Sequence, residues 1–364
     1  MKIEINKIYN ENSKKGLKKL PSNSIDCCVT SPPYWGLRDY GVDDQIGLEN
    51  TPDEFVKNIV EVFNEVYRVL KEDGTLWLII GDSYAGSGKG AVTHPDTNNK
   101  WKQGTNIGIS HSSGKKKLIH HFNSNCYKPK DLIGIPWMVA FALRNSGWYL
   151  RQDIIWSKPN PMPESVKDRC TKSHEYIFLL SKSQKYYYDN DSIKTPIKDA
   201  TVRRVIQDIE NQKGSTRVPG KINGNMKAVF PKRKPRPSDN KKGNQGTGGI
   251  PIGLNGSSFK NHNNFLNENG ELIHGSKANK KSVWEITTKG YKEAHFATYP
   301  EKLIVDCIKA GCKENGIVLD PFMGAGTTAL VAKKLNRNYL GFELNPEYVD
   351  ISEKRLRKEL GLFS

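Results

Sequence analysis

Asp320-Pro-Phe-Met-Gly-Ala-Gly-Thr-Thr328 decides how this chain folds. It joins a short apolar run, Gly316 to Leu319, to an apolar-periodic stretch, Thr327 to Leu335. That order is strand, loop, helix. Gly324 and Gly326 let the backbone turn tightly and approach a ligand closely, and the helix behind them aims its positive N-terminus at that ligand. Glu343 follows 23 residues after Asp320, at the end of the next strand, Tyr339 to Phe342. In doubly wound folds a carboxylate at that place meets ribose hydroxyls. Taken alone, the paired glycines also fit a dinucleotide site, or a tight turn with no ligand. Ala329 holds the place of a dinucleotide fingerprint's third glycine, a replacement that the pattern tolerates. Only 36 residues follow Thr328, too few to finish a nucleotide-binding fold. The sheet is therefore expected to take its other strands from the N-terminal region.

That region supplies them. Ile25 to Thr30 reads as a buried strand closed by Ser31-Pro-Pro33. Phe55, Ile59, Val62, Phe63, Val66, Val69 and Leu70 have helical spacing. Asp73-Gly74 is expected to turn the chain, and Leu76 to Ile80 to form a second buried strand. Further on, Leu132 to Arg144 suits a helix, Trp148 to Trp156 and Tyr176 to Leu180 suit strands, and Pro346 to Glu359 suits a final helix. Strands alternating with helices at both ends of the chain imply a mostly parallel sheet with helices on both faces. Residues 85–130, rich in Gly, Ser, Asn, Lys and His, read as a flexible loop or insertion.

Composition narrows the partners. The 364 residues carry a formal charge of +17, and only 36% are hydrophobic. Such a charge favours a polyanion, because Lys and Arg that meet phosphates release condensed counterions. Residues 194–281 hold 18 Lys or Arg against 6 Asp or Glu, which is +12 of the total. A solvated linker would have this texture. So would a DNA-contacting region, with Arg203, Arg204, Lys232, Arg233, Lys234 and Arg236 as its candidate contacts. Six cysteines form no C-x-x-C pair, which points to reduced thiols in a cytosol. His120, His121 and Cys126 fit no common zinc spacing, so no metal is expected. The N-terminus has no apolar signal core, and Ile133 to Leu143 is too short to span a bilayer. A cytoplasmic location without a membrane partner is expected.

Chemistry gathers at Ser31-Pro-Pro-Tyr34. Two prolines stiffen the loop and remove two backbone donors, while their carbonyls can still accept. Ser31 and the carbonyl of Pro32 could hold both protons of an exocyclic amine and aim its lone pair at a methyl donor. Tyr34 offers a face on which an extruded base can stack. A plain strand-to-loop turn with a buried aromatic would look the same.

The two loops together resemble the beta-class DNA amino-methyltransferases of restriction-modification systems, in the Ser-Pro-Pro-Tyr type that acts on N4 of cytosine. The resemblance extends to Tyr67–Gly74, Asp153–Asn160, His174–Tyr176, Val283–Ile286, His295–Pro300 and Gly341–Glu343. In that family the catalytic motif precedes the target-recognition region and the motif for S-adenosylmethionine (AdoMet) comes last, as here. It implies a circularly permuted, Rossmann-like AdoMet-dependent methyltransferase fold. Residues 1–193 and 282–364 would form the catalytic domain, and 194–281 an inserted target-recognition region. It implies that Ser31, Pro32, Pro33 and Tyr34 grip a base flipped from duplex DNA. Phe322, Gly324, Gly326 and Thr327 would line the AdoMet site with Asp320 beside it. Glu343 would take the ribose, and Thr298, Tyr299 and Pro300 would pack near the adenosine and methionine. Asn12 stands where related chains often carry an acidic residue that touches the cofactor, and a neutral Asn can still hydrogen-bond there. Family members acting on adenine usually carry Asp in place of Ser31, so cytosine N4 is expected and adenine N6 is the alternative.

Other readings explain less. A cytosine-C5 enzyme needs a thiolate, and no Cys follows either proline. An NAD-dependent enzyme leaves Ser31-Pro-Pro-Tyr34 without a purpose. A non-catalytic DNA-binding protein needs only the basic segment. The expected partners are duplex DNA and a restriction endonuclease for the same site, with the chain a monomer or a dimer.

Overall fold

The computed structural model describes residues 4–37, 40–85, 127–128, 130–197, 277–288 and 298–361. Contacts divide the chain into two units, Met1–Ile193 with Lys281–Ser364, and Lys194–Lys280. The second boundary lies one residue before the expected 282.

Among the described residues the first unit is built on eight strands: β1 (Lys7–Asn10), β2 (Ile25–Thr30), β3 (Leu70–Ile80), β4 (Tyr149–Ser157), β5 (His174–Ser181), β8 (Val283–Glu285), β9 (Ile317–Asp320) and β10 (Asn338–Glu343). Their order is β1-β10-β9-β2-β3-β5-β4-β8. Only β5 runs against the others, antiparallel to both β3 and β4. As expected, both chain ends enter one sheet: β1 pairs with β10, and β2 with β9.

Helices cover both faces. On one side lie α1 (Ser13–Lys18), α2 (Pro52–Val69) and α3 (Ile135–Asn145). On the other lie α4 (Glu301–Gly311), α5 (Thr327–Lys334) and α6 (Pro346–Leu360). Alternation along the strands feeds both layers. Leu76, Leu78 and Ile80 of β3 join one core, and Trp77 and Ile79 the other. Helix α2 shows why its sequence forms a helix here. Thr51 caps it by accepting from the Glu54 amide at 3.2 Å, and Pro52 opens the first turn. Its apolar stripe, Phe55, Ile59, Val62, Phe63, Val66 and Val69, is fully buried. Each such side chain contributes about 1.5–3 kcal/mol of transfer free energy.

Asp73-Gly74 does not turn the chain as expected. Leu70 pairs with Ile25 and Thr75 with Cys27, so residues 71–74 bulge within β3 opposite Asp26. Lys71 meets the Asp26 carboxylate at 2.7 Å, which anchors the bulge.

The topology fixes where a ligand can enter. β2 leads through α2 to β3, whereas β9 leads through α5 to β10 on the sheet's other side and other face. The chain therefore parts in opposite directions between β2 and β9, and a crevice opens beyond their C-terminal ends.

In the second unit, β6 (Thr195–Pro196) pairs antiparallel with β7 (Lys277–Ala278), which ties the two ends of the segment together. Arg203, Arg204, Lys232, Arg233, Lys234 and Arg236 lie outside the described residues, as do His120, His121 and Cys126. No described helix is long and apolar enough to cross a membrane.

Candidate active site

The loops beyond β1, β10, β9 and β2 line a cavity of about 490 Å3 at the switch point. Gly324 and Glu343 shape one part of it. Gly324 takes φ +53°, with open space where a Cβ would stand. Its N–H donates to Glu343 Oε2 at 2.8 Å, and the Asn345 N–H donates to Oε1 at 2.8 Å. Burial pushes the Glu343 carboxyl above its usual range, and the two amides oppose that push. The loop is held from below. Gly326, at φ +75°, has no room for a Cβ, which would stand 2.8 Å from Ser352 Cβ. Buried Arg355 donates to the Ala325 carbonyl at 3.3 Å and to Thr327 Oγ1 at 2.9 Å. It also pairs with Glu301 at 3.2 Å, so α6 fastens the loop to α4.

Asp320 does not line the cavity. It is fully buried, and its carboxylate accepts four protein donors. Thr30 Oγ1 at 2.6 Å and the Phe322 amide at 3.0 Å reach Oδ1. Thr328 Oγ1 at 2.6 Å and the Tyr299 hydroxyl at 3.2 Å reach Oδ2. The residue knots the ends of β2 and β9 to the first turn of α5. Burial pushes its carboxyl upward despite the four donors.

Ser31, Pro32, Pro33 and Tyr34 line the cavity beside this knot. The Tyr34 hydroxyl donates to Glu175 Oε2 at 2.7 Å, and Glu175 Oε1 accepts from Lys158. Burial holds the Tyr34 phenol well above its ordinary value. Lys158 also lies 4.3 Å over the Trp156 ring. Asn160 and Thr288 exchange backbone and side-chain bonds at 3.0 and 3.3 Å, which closes the loop after β4 against Thr288.

Most of the expected residues thus meet in one place. Asn12, Thr298, Tyr299, Phe322, Gly324, Thr327 and Glu343 line the same cavity as Ser31 to Tyr34. Asn12 is partly committed elsewhere, because its Oδ1 caps α1 through the Lys14 and Lys15 amides. Three expected residues stand apart from the lining. Asp320 is buried in the knot, Gly326 sits under Ser352, and Pro300 is buried at the start of α4. Glu175, Lys158 and Trp156 line the cavity without having been singled out. They fall inside two stretches that carried the resemblance, Asp153–Asn160 and His174–Tyr176, and that was their only signal.

Cys27 and Cys28 are fully buried in β2, and burial raises both thiols well above their ordinary value. Neither can serve as a thiolate nucleophile. Among the described residues no group of three His, Cys, Asp or Glu is gathered as a metal would need.

Known proteins resemble this chain along most of its length. A family model described as DNA methylase, covering N6 and N4 methyltransferases, matches residues 25–354. The chain is 39% identical to Type II methyltransferase M.Cfr9I of Citrobacter freundii, across 94% of this chain and 85% of that one. It is 39% identical to Type II methyltransferase M.SmaI of Serratia marcescens, across 96% and 90%. Among solved structures, PvuII DNA methyltransferase (cytosine-N4-specific) shares the fold with a TM-score of 0.55 at 16% identity, across 96% of this chain and 85% of that chain. TTHA0409 of Thermus thermophilus, complexed with S-adenosyl-L-methionine, shares it with a TM-score of 0.52 at 19% identity, across 98% and 96%.

Proposed function

This chain belongs to the DNA methylase family, the N6 and N4 amino-methyltransferases, and from that membership we propose that it methylates N4 of cytosine in duplex DNA. At the coarser level it is a Type II DNA amino-methyltransferase that uses AdoMet. One observation carries the reading as an amino-methyltransferase, and Ser31 in place of an Asp carries the choice of cytosine. Ser31-Pro-Pro-Tyr34 and the Gly324–Glu343 pair line a single cavity, so a base amine and a methyl donor can meet there.

The residues fit AdoMet. Gly324 leaves space at its Cβ position, Glu343 presents a carboxylate at the end of β10, and Phe322 offers an aromatic face. Glu343 would hold the ribose, while Thr298 and Tyr299 would pack against the rest. Bound AdoMet supplies an electrophilic methyl group on a sulfonium. Everything else falls to the protein. A base extruded from the duplex stacks on Tyr34. Ser31 Oγ and the Pro32 carbonyl accept the two amine protons, which draws the nitrogen toward tetrahedral geometry and frees its lone pair. A carboxylate would be a stronger acceptor than a hydroxyl, and family members acting on adenine usually carry Asp where this chain has Ser31. That difference supports cytosine. Residues 194–281 are the proposed DNA-contacting region, and a restriction endonuclease acting on the same site is the proposed second partner.

Incubation with tritiated AdoMet and duplex DNA tests the site. Wild type should transfer label, with RNA a poor competitor. Ser31→Ala should bind AdoMet normally yet lose most turnover. Near-normal turnover in that variant would mean that Ser31 is not the amine's acceptor.

A further inference from the structure

Methyl transfer leaves the attacked nitrogen with a positive charge and a proton to lose. An alcohol is a poor base, so Ser31 cannot keep that proton. The structure shows where it could go. Ser31 and Tyr34 lie three residues apart in the loop after β2 and line the same cavity, and the Tyr34 hydroxyl donates to Glu175 Oε2 at 2.7 Å. Glu175 is only 17% exposed, and so is the Lys158 that pairs with its other oxygen. All four residues line the cavity. Gly81, at the end of β3, keeps room for them: a Cβ there would stand 2.7 Å from the Tyr34 ring and 3.3 Å from the Glu175 side chain. Merely steadying a tyrosine ring would not require a half-buried ion pair, whose desolvation is costly.

We propose that Ser31, Tyr34 and Glu175 form a relay that carries the amine proton from the flipped base to the Glu175 carboxylate. This rests on the reading of Ser31 given above. The step balances. The amine lone pair forms the N–C bond, and the C–S bond breaks with its electrons going to sulfur, leaving a neutral thioether. An N–H bond returns its pair to nitrogen as the proton passes to Ser31 Oγ. Ser31 gives its own proton to the Tyr34 oxygen, and Tyr34 gives its proton to Glu175, which becomes a neutral acid. The Lys158 ammonium balances the carboxylate before transfer. Even before the proton moves, each hydroxyl that donates onward polarises the one before it. Ser31 thereby becomes a stronger acceptor, as a carboxylate would be without help.

The test is single-turnover transfer of tritiated methyl to unmethylated bacterial genomic DNA, with AdoMet affinity measured alongside. Gln at position 175 can still accept the Tyr34 hydroxyl, whereas Asp keeps the charge on a shorter arm. The relay predicts that Glu175→Gln and Tyr34→Phe each slow transfer about 100-fold with AdoMet affinity unchanged. The double variant should be no slower than the slower single, and Glu175→Asp should recover most of the rate. A purely structural role predicts the reverse order, with Gln faster than Asp. That order, a Gln variant within about twofold of wild type, or losses that multiply in the double variant, would overturn the relay. Wild type that labels no base would instead overturn the underlying reading of Ser31.

Discussion

Glu343 spends both carboxylate oxygens on backbone amides, those of Gly324 and Asn345, and so shapes the loop it faces. Its second lone pairs are what a ribose would use. Glu343→Ala should therefore weaken AdoMet binding by about 1.5–3 kcal/mol, the range for hydrogen bonds to a charged group. Gly324→Asp should abolish binding, because it sets a second carboxylate beside Glu343 in strained backbone. Calorimetric titration of both variants checks this, and unchanged affinity in both would remove the assignment. The buried carboxyl also predicts a pH dependence. Its pKa is raised on folding, so the stability it contributes is present below the ordinary carboxylate range and is lost as pH rises through the folded value. Without cofactor, wild type should lose stability relative to Glu343→Gln as pH climbs from acid to neutral, read from denaturant midpoints. A constant difference would contradict it. At Asp320, substitution by Ala would leave three hydroxyls and an amide without their acceptor. A loss on the order of 3 kcal/mol or more is expected in urea unfolding.

Arg355 shows how elements hold the loop at a distance from it. Arg355→Ala should free Ala325 and Thr327 from α6 and leave Glu301 with Lys334 as its partner, costing about 1–3 kcal/mol. AdoMet affinity should fall with it, since the loop loses its support; thermal shifts with and without AdoMet measure both. How legible each element was followed from its burial. α2, β2 and β9 carry full apolar patterns because both the helix stripe and the central strands are buried, and the sequence shows them plainly. β1 is an edge strand in which Ile8 alone is fully inside, so Lys7–Asn10 has almost no pattern to read. α4 did offer one, with Leu303, Ile304, Cys307 and Ile308 buried at helical spacing, and it is missing from the sequence reading. The Asp73-Gly74 bulge looks like a turn because the same residue types serve both, and only the pairing of Leu70 and Thr75 tells them apart.

At the scale of the whole chain, charge is the dominant fact. If residues 194–281 meet the duplex, affinity should fall steeply with salt. Replacing Lys232, Arg233, Lys234 and Arg236 with Ala should reduce the log–log slope by about 0.9 for each phosphate that no longer meets a cation. An unaltered slope would return the segment to the role of a linker. The shared sheet was legible at this scale because strands alternate with helices on both sides of residues 194–281, and one parallel sheet accommodates both sets. The Tyr34–Glu175 hydrogen bond was not, since it joins residues 141 apart and no local pattern announces it. The central claim is that Ser31 presents the N4 amine of cytosine to AdoMet. The most direct measurement digests DNA methylated by the purified protein to nucleosides and identifies the product by mass spectrometry. The account predicts N4-methylcytosine. N6-methyladenine as the sole methylated nucleoside would contradict it.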